Sequence, residues 1–412
     1  MKKEQLRFNP ILSKAFLITL LIISQAVVAQ SPGGISTDLA LWLKADAGTS
    51  TSTPGADVIS WADQSPNSFI AGATSELGVP DYSADLINFN PAITFNGTTD
   101  GLNLGSDYIF SNNDGIRIFT ALAPSSTSSN IREYVFDFGE AANEGYGMSY
   151  SGDRYTGYCA LDFGGVIYEG GMHTRGEQPT LFSLEIAFND SMRFLIDGGQ
   201  QSAHAITLPA LTAAEVKAID VHASGRGPVS IGRQAKANSL GTRMFDGDIA
   251  EVIVYTSLPD ATETKQIETY LALKYGVTLP HDYIASDGTV IWNNATMAAW
   301  SNSVAGIGQD NTTSLNQKQS VSATADAVVT IGLDSIAASN AAHGSSFSTD
   351  KSFMIWGNNA AGLAEVTYAG VVNSRTNRVW AVKETGTVGV VEISVPAALG
   401  FTHLIVNSGD NT

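Results

Sequence analysis

Carboxylates are the first residues in this chain that could do chemistry. "REYVFDFGE" (132–140) puts Glu133, Asp137 and Glu140 on a strand candidate. Retaining hydrolysis of a glycosidic bond needs two carboxyl groups about 5–5.5 Å apart, and alternate positions of one strand can supply them. Glu133 and Asp137 are four apart and could share a face. Glu140 is an odd step away, and Gly139 reads as the strand's end, so the pattern is not met. "FDGDIAEV" (245–252) offers a different chemistry. With Gly247 between them, Asp246 and Asp248 can face one side at the mouth of a strand, where carboxylate and backbone oxygens suit Ca²⁺. The same residues also read as Asx turns. Asp46 in "ADAG" and Asp63 in "WADQS" are rival ligands with the same double reading.

Other reactive constellations are thin. His173, His204, His222, His281, His343 and His403 are scattered without metal-ligand spacing. There is no Gly-x-Ser-x-Gly elbow and no phosphate-binding loop. "GGMHTRGE" (170–177) reads as a polar surface turn. The single cysteine, Cys159, cannot form an intramolecular disulfide, and "GYCALDF" makes it a small buried hydrophobe. Sugar binding would call on exposed aromatic rings with polar neighbours. Trp42 and Trp61 sit in apolar strands and read as core. Trp292 and Trp300 flank "NNATMAA" and are expected to be exposed. Tyr146, Tyr150, Tyr155 and Tyr158 lie in "GYGMSYSGDRYTGY", which suits a contact surface or one face of a hairpin.

Composition narrows the setting. The 412 residues include 43% hydrophobic and only 15% charged residues, with 40 glycines, a mixture that suits an all-β protein with many turns. Lys2, Lys3, Arg7 and Lys14 precede the apolar "AFLITLLIISQAVVA" (15–29), and Val27-Val28-Ala29 precedes Gln30. This pattern reads as a signal peptide over 1–29, too short for a membrane span. Its removal takes four basic residues and Glu4, changing the net charge from −18 to −21. An acidic surface excludes nucleic acid and anionic lipid as natural partners and is compatible with Ca²⁺. No later run is apolar and long enough to span a membrane.

The elements that must position these residues are mostly strands. "FSLEIAFNDSMRFLIDGGQ" (182–200) alternates Phe182, Leu184, Ile186 and Phe188, turns at Asn189-Asp190, then alternates Met192, Phe194 and Ile196. This predicts a hairpin with one buried face. "AITFNGTTDGLNLG" (92–105) reads as two strands around an Asn-Gly turn. One helix stands out. Asp260 caps it, Glu263 completes a capping box, and Gly276 stops it. Its apolar stripe is expected across one end of the preceding sandwich. From about 283 the chain turns rich in Ala, Asn, Ser and Thr, with strand candidates "SVAGIGQD", "AVVTIGL", "SFMIWGNN", "NRVWAVKETG", "VGVVEISVP" and "HLIVNSG" (403–409). The end at "NSGDNT" reads as abrupt, as of a truncated unit.

Taken in order, "LWLKADAG", "VISWADQSPN", "AITFNGTTDGL", "SLEIAFNDSMRFLIDGG" and "QIETYLALKYGVTL" (266–279) resemble the laminin-G-like (concanavalin A-like) jelly-roll domains of Bacteroidota surface proteins. "AGIGQDNTTSLNQKQS", "SFMIWGNN" and "NRVWAVKETG" resemble an uncharacterised β-rich module that follows them. The resemblance covers roughly 35–410. It implies an all-β jelly-roll sandwich over 30–280, closed by one helix, and a second, smaller β-sandwich over 281–412. It also implies a secreted or cell-surface protein, or a periplasmic one if no sorting signal is present. The function expected is non-catalytic glycan binding or adhesion to a surface protein, with Ca²⁺ as the one cofactor suggested. A glycoside hydrolase or its accessory domain, and a structural spacer, are the alternatives.

Overall fold

The computed structural model describes residues 30–75, 77–104, 115–125, 133–140, 144–151, 154–161, 166–170, 178–187, 190–200, 206–207, 229–235, 243–367 and 374–407. The expected signal peptide, "GGMHTRGE" beyond Gly170, and the side chains of Tyr146, Tyr155, Tyr158 and Cys159 lie outside what is described.

The first part of the chain forms β1 (Leu39–Lys44), β2 (Ser60–Ala62), β3 (Ile70–Gly72), β4 (Asp81–Ile87), β5 (Asn90–Asn96), β6 (Leu102–Asn103), β7 (Gly115–Pro124), β8 (Glu133–Glu140) and β9 (Glu144–Ser151). It continues with β10 (Arg154–Leu161), β11 (Val166–Gly170), β12 (Thr180–Ala187), β13 (Ser191–Ile196), β14 (Gly199–Gln200), β15 (Ile206–Thr207), β16 (Ser230–Ile231) and β17 (Asp246–Tyr255). They build two sheets. A nine-stranded sheet runs β14-β13-β12-β7-β17-β5-β4, with β1 on β17 and β15 on β13. An eight-stranded sheet runs β11-β10-β9-β8-β16-β6-β3-β2. This is the all-β sandwich that the sequence predicts. Its core holds Trp61, Phe95, Ile118, Phe136, Met148, Phe182, Ile231 and Val252, drawn from both sheets. The β12–β13 hairpin pairs Phe182 with Ile196, Leu184 with Phe194 and Ile186 with Met192, so one face is buried as the alternation requires.

Two local expectations fail because a strand's partner is not written in the strand. Asn96-Gly97 does not close a hairpin: β5 belongs to the nine-stranded sheet and β6 to the eight-stranded one. The Asn96 Oδ1 instead accepts from the backbone N–H of Thr98 and Thr99, each at 2.9 Å, and steers the chain across the sandwich. "HLIVNSG" forms no strand among the described residues through Asn407.

The helix α1 (Ala261–Tyr275) begins and ends where the caps predict. Asp260 Oδ1 accepts from Thr262 and Glu263 N–H at 2.7 and 2.9 Å, and the Asp260 N–H donates to Glu263 Oε2 at 2.8 Å. Gly276 takes φ 72° and ends the helix in the left-handed region. Its place differs from the expectation. Residues Gln266 to Tyr275 are all buried, so the helix hides more than a stripe. It lies on the outer face of the nine-stranded sheet, where Leu39, Trp42, Phe119, Ile253 and Tyr255 pack with Ile267, Tyr270 and Leu271.

The same cluster continues into the second part of the chain through Tyr283, Ile291, Trp292, Val304, Leu315, Phe353 and Ile355. That part forms β18 (Tyr283–Ile284), β19 (Val290–Trp292), β20 (Asn302–Asp310), β21 (Leu315–Gln317), β22 (Gln319–Val321) and β23 (Thr330–Leu333). It ends with β24 (Ser352–Asn358), β25 (Glu365–Thr367), β26 (Ser374–Thr376), β27 (Trp380–Thr385) and β28 (Val391–Ser394). A four-stranded sheet, β21-β20-β24-β27, and a three-stranded sheet, β22-β23-β28, enclose a small core of Ile307, Ile331, Leu333, Phe347 and Trp356. The position 280/281 therefore lies within one continuous apolar layer. Trp292, expected at the surface, is wholly buried in that layer, and Trp300 is partly buried against it.

Candidate functional site

A two-sheet sandwich has two outer faces. One is taken up by α1 and the second unit. The other belongs to the eight-stranded sheet, and its pairing register defines what it presents. Ser60 pairs with Gly72, Gly72 with Asn103, Asn103 with Ser230, and Ser230 with Asp137. Asp137 pairs with Gly147, Gly147 with Tyr158, and Tyr158 with Glu169. Directly opposed residues share a face, so one row crosses the whole sheet, one residue per strand, and every member is polar or glycine. The neighbouring row, Leu102–Ile231–Phe136–Met148, points into the core. From Ser60 to Gly147, period-2 alternation makes the polar row the outward one.

Within the row, the Ser230 hydroxyl donates to Asn103 Oδ1 at 2.9 Å. Asp137 Oδ2 accepts the Ala235 N–H at 2.7 Å, because the chain after β16 turns back over the face. Burial pushes the Asp137 carboxyl well above the usual carboxylate range, against the opposing pull of the Ala235 N–H, Arg233 and Arg243. Toward β2 the face opens. Asn103 and Gly72 are half-buried, and Ile70, two residues before Gly72 on the same face, is 59% exposed.

The carboxylate pair of the hydrolase alternative does not come together. The β8–β9 register shifts between Tyr134 and Phe136, so Val135 and Phe136 both enter the core. This bulge reverses the alternation and sends Glu133 and Asp137 to opposite faces. Glu133 Oε2 accepts the N–H of Asp246 across the sandwich at 3.2 Å, while Asp137 faces the loop after β16.

Asp246 and Asp248 do lie two apart at the start of β17, opposite Asn96 and Thr94. Asp248 Oδ1 accepts the Thr94 hydroxyl at 2.7 Å. Its pKa is raised to about 6, first by burial and then by the charge of Asp246, with the Thr94 hydrogen bond opposing. Calcium takes six to eight oxygen ligands. The pair and the Thr94 hydroxyl supply part of such a shell, and among the described residues no group of three or more His, Cys, Asp or Glu side chains could hold a metal ion. The rival ligands are committed elsewhere. Asp63 accepts from the N–H groups of Trp42 and Ser65, both at 2.8 Å, in an Asx turn. Asp46 pairs with Lys274 at 3.0 Å.

Sequence reasoning missed the most concentrated polar cluster. Glu251 is wholly buried on β17, and its carboxylate accepts from Trp42 Nε1 at 2.6 Å, Tyr270 Oη at 2.9 Å, Lys274 Nζ at 2.9 Å and Tyr275 Oη at 2.7 Å. Burial and then the Glu251 charge push both tyrosine hydroxyls well above their ordinary pKa. Burial alone would lower the Lys274 pKa, but Asp46 and Glu251 outweigh it and raise it. The signal was present as one acid inside the apolar "IAEVIVY" and one base inside "LALKYG". A second cluster joins Arg117 to Glu185 at 3.1 Å and to Glu268 at 3.4 Å, and Glu268 to His281 at 2.7 Å. Both clusters join α1 to the nine-stranded sheet.

A family model described as a domain of unknown function (DUF8202) matches residues 263–412, from the first turn of α1 onward. A comparison with curated proteins found no match. Among solved structures, the chain is similar to the CBM40 of the Ruminococcus gnavus IT-sialidase bound to alpha2,3 sialyllactose. That match has 14% identity over 38% of this chain and 82% of that chain, with a TM-score of 0.29. The chain is also similar to the binding domain of Paraclostridial Mosquitocidal Protein 1, at 12% identity, 60% and 54% coverage and a TM-score of 0.39. The receptor-binding domain of botulinum neurotoxin type G gives 9%, 60% and 53%, with 0.40. These neighbours are β-rich binding domains, and likenesses this distant carry no argument about what this chain binds.

Proposed function

We propose that this chain is a secreted or cell-surface, non-catalytic protein that binds a glycan on the outer face of its eight-stranded sheet. The observation that carries this reading is the open end of the polar row, where half-buried Ser60, Gly72 and Asn103 lie side by side on β2, β3 and β6. Sugar hydroxyls are neutral donors and acceptors, and the half-buried Ser60 and Asn103 match them. Gly72 leaves space above the sheet, and exposed Ile70 offers apolar contact to the C–H face of a ring. The apolar segment 15–29 supports export. The opposed directions of Glu133 and Asp137 weigh against hydrolysis.

Glycan-array binding of the full chain tests this, beside Asn103→Ala and Ile70→Lys. Both variants should lose about tenfold or more in affinity. No binding by the parent chain, or binding unchanged in both variants, would reject the reading. The spacer alternative keeps one supporting observation, the continuous apolar layer that locks the two units together. A chain that binds no glycan and stays rigid would favour it.

A further inference from the structure

Lys351, just before β24, takes φ 56°, in the left-handed region that side chains other than Gly and Asn rarely adopt. β20 and β24 pair through Gln309 and Ser352, and Asp310 and Lys351 come next in that antiparallel register. The long side chain folds back, so that Lys351 Nζ lies 2.7 Å from Asp310 Oδ1. The Asp310 side chain is 2% exposed and that of Lys351 is 27% exposed. The two carboxyl oxygens are held differently. Oδ2 accepts the Ser286 backbone N–H at 3.1 Å. Oδ1 accepts the Ser286 hydroxyl at 2.9 Å and the Thr312 N–H at 3.2 Å, beside the lysine. Lys351 Nζ also donates to the Ser286 hydroxyl, so one hydroxyl touches both the amine and the acid. The neighbouring acids are engaged elsewhere: Asp287 accepts the Thr289 N–H at 3.0 Å and Asp350 the Asn311 N–H at 2.8 Å.

We propose that Lys351 and Asp310 join in an intramolecular amide, formed by the folded chain without any other reactant. The ammonium passes one proton to Oδ1, which leaves a neutral amine facing a neutral acid, and burial favours neutral partners over charged ones. Nζ then attacks the Asp310 Cγ. The N–Cγ bond forms, and negative charge gathers on Oδ2, where the Ser286 N–H already donates. The Ser286 hydroxyl relays a second proton from the nitrogen to Oδ1, the Cγ–Oδ1 bond breaks, and one water leaves. An ammonium and a carboxylate become one amide and one water, and nothing is oxidised or reduced. The fold supplies the alignment. A strained backbone at Lys351 and a fixed carboxyl at Asp310 hold the reacting groups in contact, which replaces a chance encounter in solution. The bond staples β20 to β24 and closes the loop between them, which restricts the unfolded chain.

Intact-mass spectrometry of the full purified chain tests this. The parent should be lighter than its sequence by one water, and a tryptic digest should yield one branched peptide that joins Asp310 to Lys351. K351M and D310A should each carry the full mass of their sequences. S286A keeps both reacting groups and should link about a hundredfold more slowly, so that freshly made chains still carry the full mass. The parent's own mass decides the matter even if a variant fails to fold. A parent at full sequence mass, a water loss that persists in K351M, or a loss that maps to any other pair of residues would overturn the proposal and leave an ordinary ion pair. Linkage of S286A at the parent's rate would overturn the relay.

Discussion

Glu251 offers the sharpest test of how this protein is held together. Its carboxylate sits between the sheet and α1 with no exposure and accepts four hydrogen bonds, one of them from the ammonium of Lys274. Glu251→Gln removes the charge and turns an acceptor into a donor facing Trp42, Tyr270 and Tyr275. Lys274 then stays buried with only the partly exposed Asp46 as counter-ion. Breaking a buried pair from one side costs about 3–5 kcal/mol. Lys274→Met leaves Glu251 its three neutral donors and should cost less, about 2–3 kcal/mol, since a hydrogen bond to a charged group contributes roughly 1.5–3 kcal/mol. The double variant should recover part of the loss, with a coupling of about 1–3 kcal/mol. Equilibrium urea unfolding followed by tryptophan fluorescence measures all three, because Trp42 reports on the site directly. If Glu251→Gln loses less than about 1 kcal/mol, or the two losses simply add, the carboxylate is not the clamp described.

The raised pKa of Asp248 makes a pH prediction with a definite sign. An acid at about 6 in the folded chain and 3.8 unfolded favours folding only while protonated, so stability falls as pH rises from about 4 to 6. Asp248→Asn should flatten that fall, gaining about 1–3 kcal/mol at pH 8 and nothing below pH 4, in denaturant titrations at each pH. Truncation after Pro280 strips Trp292, Phe353 and their neighbours from the outer face of the nine-stranded sheet. The shortened chain should aggregate or bind a hydrophobic dye strongly, and a soluble, dye-free fragment would show that the sandwich stands alone. If Asp246 and Asp248 hold calcium, millimolar calcium should raise the melting temperature by several degrees, and an unchanged melting temperature would speak against that site.

Much of the fold was legible because local forces wrote it. The caps of α1 depend on residues three positions apart, and the β12–β13 hairpin depends on period-2 alternation across a short turn. The polar row was not legible. Ser60, Asn103, Ser230 and Asp137 are neighbours only through the register of strands far apart in sequence. Glu133 and Asp137 read as a pair until a bulge, invisible in "EYVFDF", turned them apart.

The sequence alone determined that this chain is nearly all β, that one helix spans 261–275, and which apolar residues alternate inward. Those outcomes follow from propensity, capping and period, which act over a few residues. Only the tertiary structure decided which face of the sandwich α1 covers, that Trp292 is buried, and that Glu251 gathers four donors. Each of these depends on which distant surface arrives opposite. That is set by the summed burial of both units rather than by any one segment.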